Sequence, residues 1–440
     1  MRAMLDRRQF LAGTAAVAGL GASATPSFAA GIDWKRNKGA TVSVLFQKSP
    51  RSDALQQYQK EFEDLTGIAV RFEAIPEQQA RQKMVVEFAS GSPSFDVVNV
   101  SLGVQKRLVG KARWLVDLRP LLEPVKNDPQ IDLADFGKGA IDFSTQRDGR
   151  LDTLPLNLDY WVLYYNKDLL AKAGLAVPQT YPDLLKAAAK IHNPSQNVFG
   201  FVGRGLKNAN TPLWTTFMLG WGQEPLDANG NLNTDNDKAV ESAQLYTTLL
   251  SKFGPAGISG FNWSECQTTF IQGRAGFWVD GIGFAAPLEN PQRSRVAGKV
   301  GYGVMPAGPG GRHTAILPDG MGIAEASKNR DAAFLYLMWA LNKANQTRML
   351  KSGAGVPARV SPLDDADAMA ASPFDKEWAE TLKISSGIAM SCLPQVQPVT
   401  EFRDIFGVAL TNMLGGADIR SELKKATAEY KPILDESEKS

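Results

Sequence analysis

The stretch Thr153–Ile191, TLPLNLDYWVLYYNKDLLAKAGLAVPQTYPDLLKAAAKI, decides how this chain is organised. Its aromatic and β-branched run Tyr160-Trp161-Val162-Leu163-Tyr164-Tyr165 predicts a buried strand. Asp168–Ala173 predicts a short helix that stops at Gly174, the residue type best able to take the left-handed end position. Thr180 stands at the cap position of a second helix, Tyr181–Ile191. Ahead of the strand, Pro155-Leu156-Asn157-Leu158-Asp159 sets polar side chains among apolar ones.

Upstream, strands are predicted over Ala40–Phe46, Ile68–Phe72 and Phe95–Val100, separated by helices over Asp53–Thr66 and Gln78–Ala89. Such alternation predicts an α/β fold built on a parallel sheet with helices on both faces. Ligands of these sheets lie beyond the carboxyl ends of the strands. That rule puts Gln47, Lys48 and Arg51 at a cleft edge after the first strand, and Asn99 and Ser101 after the third. Downstream, Val198–Val202 predicts a strand followed by the polar loop Gly203–Asn210 and the helix Pro212–Leu219. A helix over Asp237–Phe253 and the segment Ser264–Gly273 lead into Arg274–Gly281, and Arg330–Asn342 predicts a core helix.

At 440 residues the chain exceeds one comfortable core, so two lobes are expected. Arg7-Arg8-Gln9-Phe10-Leu11, the soft apolar run Ala12–Ala24 and the small residues Ser27 and Ala29 predict a twin-arginine-type export signal over residues 1–29. Its removal takes away Arg2, Arg7, Arg8 and Asp6, so the net charge of +2 falls to about zero. A neutral balance without a Lys/Arg block argues against nucleic acid or a membrane surface as partner. Cys266 and Cys392 fit no metal spacing and read as free buried thiols, and His192 and His313 are the only histidines. A zinc site or a histidine-based triad has almost nothing to be built from, so no metal, no cofactor and no catalytic residue are assigned.

The order P-x-N-x-x-Y, L-Y-Y-N-K-D-L-L, A-G-L and P-x-T-Y-x-D-L-L-x-A-A in the opening stretch resembles the signature of extracellular solute-binding proteins of ABC importers, the large carbohydrate-binding group. Phe270-x-x-Gly273-Arg274-Ala275-x-x-Trp278-x-Asp280 resembles a second motif of the same family, and the likeness runs from residue 40 to about 430. Arg204-Gly205, Asn208, Trp214 and Trp278-Val279-Asp280 look most like the branch for sugar alcohols and small sugars. Pro318–Ala324 departs from the family, with Asp319 and Met321 standing where two glycines flank an aromatic residue. The resemblance implies a two-lobed periplasmic binding protein fold with a hinge and an interlobe cleft. It also implies a monomeric, non-enzymatic periplasmic component that delivers a small sugar or sugar alcohol to a membrane permease. The lobes are expected to be discontinuous, residues 30–150 with about 285–345 in the first and 151–284 with about 346–440 in the second.

Sugar recognition needs planar polar groups for vicinal hydroxyls and an aromatic face for the C–H side. The candidates are Gln47, Asn99, Asn157, Asp159, Tyr160, Arg204, Asn208, Trp214, Trp278, Asp280 and Arg359. Trp278 and Asp280, two apart on a strand, are expected to share one face, with Asp280 the leading ligand contact. A structural reading competes for several: Tyr160 and Trp214 as core aromatics, Asn208 as a turn residue. Such a site suits a neutral ligand whose affinity depends weakly on salt. The alternatives are a secreted glycoside hydrolase, which would need two carboxylates at a defined separation, and a receptor for another solute such as a polyamine.

Overall fold

The computed structural model describes residues 31–126, 128, 131–136 and 138–439, so the export signal expected over residues 1–29 lies outside the described residues. In chain order the strands are β1 (Thr41–Gln47), β2 (Ala69–Ile75), β3 (Val97–Ser101), β4 (Leu154–Asn157), β5 (Trp161–Asn166), β6 (Phe199–Val202), β7 (Ala275–Gly281), β8 (Val300–Gly303), β9 (Thr314–Ile316), β10 (Asp319–Ile323) and β11 (Ala389–Ser391). They form a five-stranded sheet in the order β2-β1-β3-β10-β4, a four-stranded sheet β6-β7-β5-β8 and the short pair β11-β9. Helices pack around both main sheets, and each sheet has its own apolar core. This is the two-lobed α/β architecture of periplasmic binding proteins.

Local chemistry sets the element ends. Ser49 caps the helix Pro50–Thr66 through a reciprocal pair with Ser52, and Thr180 caps Tyr181–Ile191 in the same way with Asp183. Gly174 takes a φ of 61° to end the helix Lys167–Ala173, as expected from its lack of a Cβ.

The first sheet is mixed, where strand–helix alternation predicts it parallel. β1 runs parallel to β2 and β3, but β10 is antiparallel to β3 and to β4. The reason is chain path: β10 enters from the second sheet, at the edge where β3 ends, and must run away from that edge. Strand pairing places Leu154–Asn157 in the first sheet and Val300–Gly303 in the second. The expected boundaries put both on the other side, because an apolar strand pattern does not say which sheet the strand joins. The chain passes between sheets at 158–160 and returns at 317–318, and the bridges Asn157↔Pro357 and Tyr160↔Ile316 lie alongside.

Asp152, just before β4, is fully buried, with one carboxylate oxygen 2.9 Å from the Gln146 amide and the other unpartnered. Burial pushes its carboxyl up to about 6, against the opposing pull of Gln146, Arg150 and Lys106. Its proton is held more tightly in the folded chain than in the unfolded one, so stability declines as pH rises from about 4 to 6. Asp152→Asn is therefore expected to raise the unfolding free energy by about 2–3 kcal/mol at neutral pH, with no gain near pH 4. Urea melts at both pH values check this, and an equal effect at both would refute it.

Candidate ligand-binding cleft

Parallel register aligns the carboxyl ends of β1 and β2, Gln47 opposite Ile75. The segments that follow, Gln47–Arg51 and Glu77–Arg81, therefore lie side by side. Antiparallel pairing brings Asp319, the first residue of β10, to the same edge opposite Ser101. In the second sheet, β5 pairs its first residue, Trp161, with Gly281 at the end of β7, and β6 runs parallel to β7. Trp161, Arg204 and the end of β7 thus share one edge too. The two edges face each other across a cavity of about 60 Å³.

From the first sheet the walls carry Gln47, Arg51, Glu77, Arg81 and Asp319, and from the second Trp161, Arg204, Trp263, Phe284 and Arg403, with Asp159 at the crossing. Trp263 and Phe284 stack with centroids 4.8 Å apart and planes 10° from parallel. The lobes also touch beside the cleft: the Gln395 amide donates to the Gly103 carbonyl at 3.3 Å, and Arg147 donates to the Gln395 carbonyl at 3.3 Å.

The electrostatics are dominated by guanidinium groups. Arg51 pairs with Asp319 at 3.2 Å, and Arg81 with Glu77 at 2.6 Å. Arg204 grips Asp280 with two bonds, 2.8 and 2.5 Å, and lies 5.1 Å from the Trp161 ring centre. Although burial opposes it, the guanidinium groups of Arg81, Arg204, Arg403 and Arg51 hold the Glu77 carboxyl down at about 2. Asp159 is pushed up to about 6 by burial, with Arg51 and the Gly283 amide opposing. The Gly283 N–H donates to its carboxylate at 3.0 Å. A Cβ built on Gly281 would stand 2.2 Å from an Asp159 oxygen, so a larger residue there would displace that carboxylate.

Of the residues singled out from sequence, Gln47, Asp159 and Arg204 line the cavity, as do Lys48, Arg51 and Ser101. Others do not reach it. Trp278 is fully buried and stacks on Tyr164 at 4.7 Å, so its indole covers core and not ligand. Asp280 is fully buried against Arg204, which occupies both its oxygens. Trp214 is fully buried, bonded to Ser242 and stacked on Phe406. Tyr160 packs into the core beside the crossing. Asn99 donates to the Gly320 carbonyl at 3.2 Å, and Asn157 is buried off the cavity. Asn208 takes a left-handed φ of 73°, bonds Asp404, and presents its carbonyl to Arg403. Arg359 is spent on the first lobe, bonded to Leu341, Ile131, Asp132 and Asp135.

Sequence reading missed Glu77, Arg81, Trp161, Trp263, Phe284 and Arg403. The carboxyl-end rule that flagged Gln47 also points to Glu77 and Arg81, two and six residues after β2. Arg403 sits on the helix Val399–Leu414, some 120 residues after the end of β7, and carries no local signal.

The chain belongs to the bacterial extracellular solute-binding protein family, whose model matches residues 48–347. It is 28% identical over 380 residues to a probable amino-acid ABC transporter periplasmic-binding protein of Sinorhizobium fredii, covering 84% of this chain and 85% of that one. It is 26% identical over 415 residues to the erythritol/L-threitol-binding protein of Mycolicibacterium smegmatis, with 90% and 86% covered. A solute-binding protein of an ABC transporter from Agrobacterium radiobacter, solved in complex with ribitol, superposes with a TM-score of 0.84 at 25% identity, covering 90% of this chain and 99% of its own.

Proposed function

We propose that the chain is the periplasmic substrate-binding component of an ABC importer, acting as a monomer. It binds a small sugar or sugar alcohol between the lobes and hands it to the membrane permease. One lobe would comprise residues 31–157 with 319–359, the other 158–318 with 361–439. The observation that carries this reading is the cavity between the two sheet edges. It joins two sheet edges, has one stacked aromatic pair for the C–H side of a carbon chain, and has planar polar groups for hydroxyls. Gln47, Arg51, Arg81, Asp159, Arg204 and Arg403 are the proposed contacts, and closure of the lobes around the solute would create the form the permease recognises.

A ligand that binds only the folded chain raises its stability, by about 2.7 kcal/mol at a hundredfold excess over Kd. A thermal-shift screen against erythritol, ribitol, mannitol, hexoses, sugar acids and amino acids is expected to give a clear rise with one compact polyhydroxy compound. No rise with any of these would overturn the proposal, and release of sugar from model glycosides would point to the hydrolase instead.

A further inference from the structure

The fully buried side-chain atoms left unpartnered on cavity-lining residues are all donors: Gln47 Nε2, Arg51 Nε and Nη1, Arg81 Nε and Nη1, and Trp161 Nε1. A sugar hydroxyl can accept from one or two such donors, whereas a carboxylate accepts from several at once. Charge points the same way. Lys48 pairs with Asp53, Arg51 with Asp319, Arg81 with Glu77 and Arg204 with Asp280.

Arg403 differs from these. It is only 4% exposed, donates Nε to the Asn208 carbonyl at 3.1 Å, and has no carboxylate at ion-pair distance among the described residues. Burial first, and then the guanidinium of Arg81 across the cleft, lower its proton affinity to about 9, with Glu77 opposing. A buried, unpaired guanidinium is costly in an ordinary interior. Here it lines the cavity opposite a second guanidinium that belongs to the other lobe.

We propose that the solute is a sugar acid, a short polyhydroxylated chain ending in a carboxylate that sits between Arg81 of one lobe and Arg403 of the other. This rests on the reading of the cleft as the solute site. A carboxylate accepts from both forks, where a phosphate monoester would bring nearly two negative charges into a cavity that already holds the Asp159 carboxylate. It also turns a repulsion between the lobes into an attraction, so that the acid group latches the closed form. The hydroxyls would fall to Gln47, Asp159 and Arg51.

Titration calorimetry on the full mature chain, with pairs that share a carbon chain, tests this: ribonate against ribitol and mannonate against mannitol, with ribitol 5-phosphate as a third arm. The acid is expected to bind at least about tenfold tighter than its polyol, with the advantage shrinking as salt is raised. Arg403→Gln should abolish the acid's advantage, bringing the affinity ratio of acid to polyol down to about one, and Arg403→Lys should keep part of the preference. If Arg403→Gln does not fold, Arg81→Gln, whose side chain is 15% exposed, carries the same test. A polyol that binds as tightly as its acid would overturn the inference and leave the cleft reading standing. A phosphate ester binding tighter than the acid would overturn the carboxylate. Binding of none of the probes would overturn the cleft reading, and this inference with it.

Discussion

Asp280→Ala is expected to cost about 3–5 kcal/mol of folding stability, because it strands a buried guanidinium. Arg204 donates twice to Asp280 and otherwise lies against apolar rings, Trp161 at 5.1 Å and Phe284 at 5.8 Å. With the carboxylate gone, the cation keeps its desolvation and loses its partner. Ligand affinity should fall as well, because Arg204 lines the cavity and Asp280 is what aims it. Asp280→Asn retains one acceptor for Arg204 and should lose less on both counts. Chemical melts paired with calorimetry distinguish this from direct ligand contact by Asp280. A variant that melts like the wild type yet no longer binds would show that the carboxylate touches the solute.

Arg359→Met should be as destabilising and yet leave the site intact. The Arg359 side chain is nearly enclosed, 3% exposed for the residue, and lies 4.1 Å above the Phe136 ring. It donates to the Leu341 carbonyl at 2.6 Å, Ile131 at 2.7 Å, Asp132 at 2.9 Å and the Asp135 carboxylate at 3.3 Å. Methionine fills the volume but takes a donor from three carbonyls and the cation from Asp135, whose carboxylate keeps only its bonds from Ser361, so a loss of about 3–5 kcal/mol is expected. Affinity should stay within about twofold, since nothing in this cluster lines the cleft. Early proteolytic nicking near residues 131–136 with unchanged binding would fit. Loss of binding at unchanged stability would return Arg359 to the cleft.

The two outcomes mark where sequence reading reaches its limit. Helix caps, strand runs and the order of elements were legible because each depends on neighbours within a few residues. Thr180 and Gly174 act on their own turn, and an aromatic run such as Trp161–Tyr165 is buried wherever it packs. The carboxyl-end rule reached Gln47 and Arg51 for the same reason, since a strand and the turn after it are contiguous.

Which polar group meets which depended on the folded chain. Arg204 and Asp280 are 76 residues apart, and Arg51 and Asp319 are 268 apart. Asp280 looks like a free acceptor until Arg204 is placed beside it, and Arg359 looks like a cleft residue until its carbonyl partners close around it. Arg403 shows the converse, a plain helical arginine in sequence that becomes an unpaired cation facing another lobe. The side-chain types were written locally, but an ion pair is a relation between two places in the chain. Only the pairing of strands into two facing sheets decides whether a charge is spent on the fold or kept for the solute.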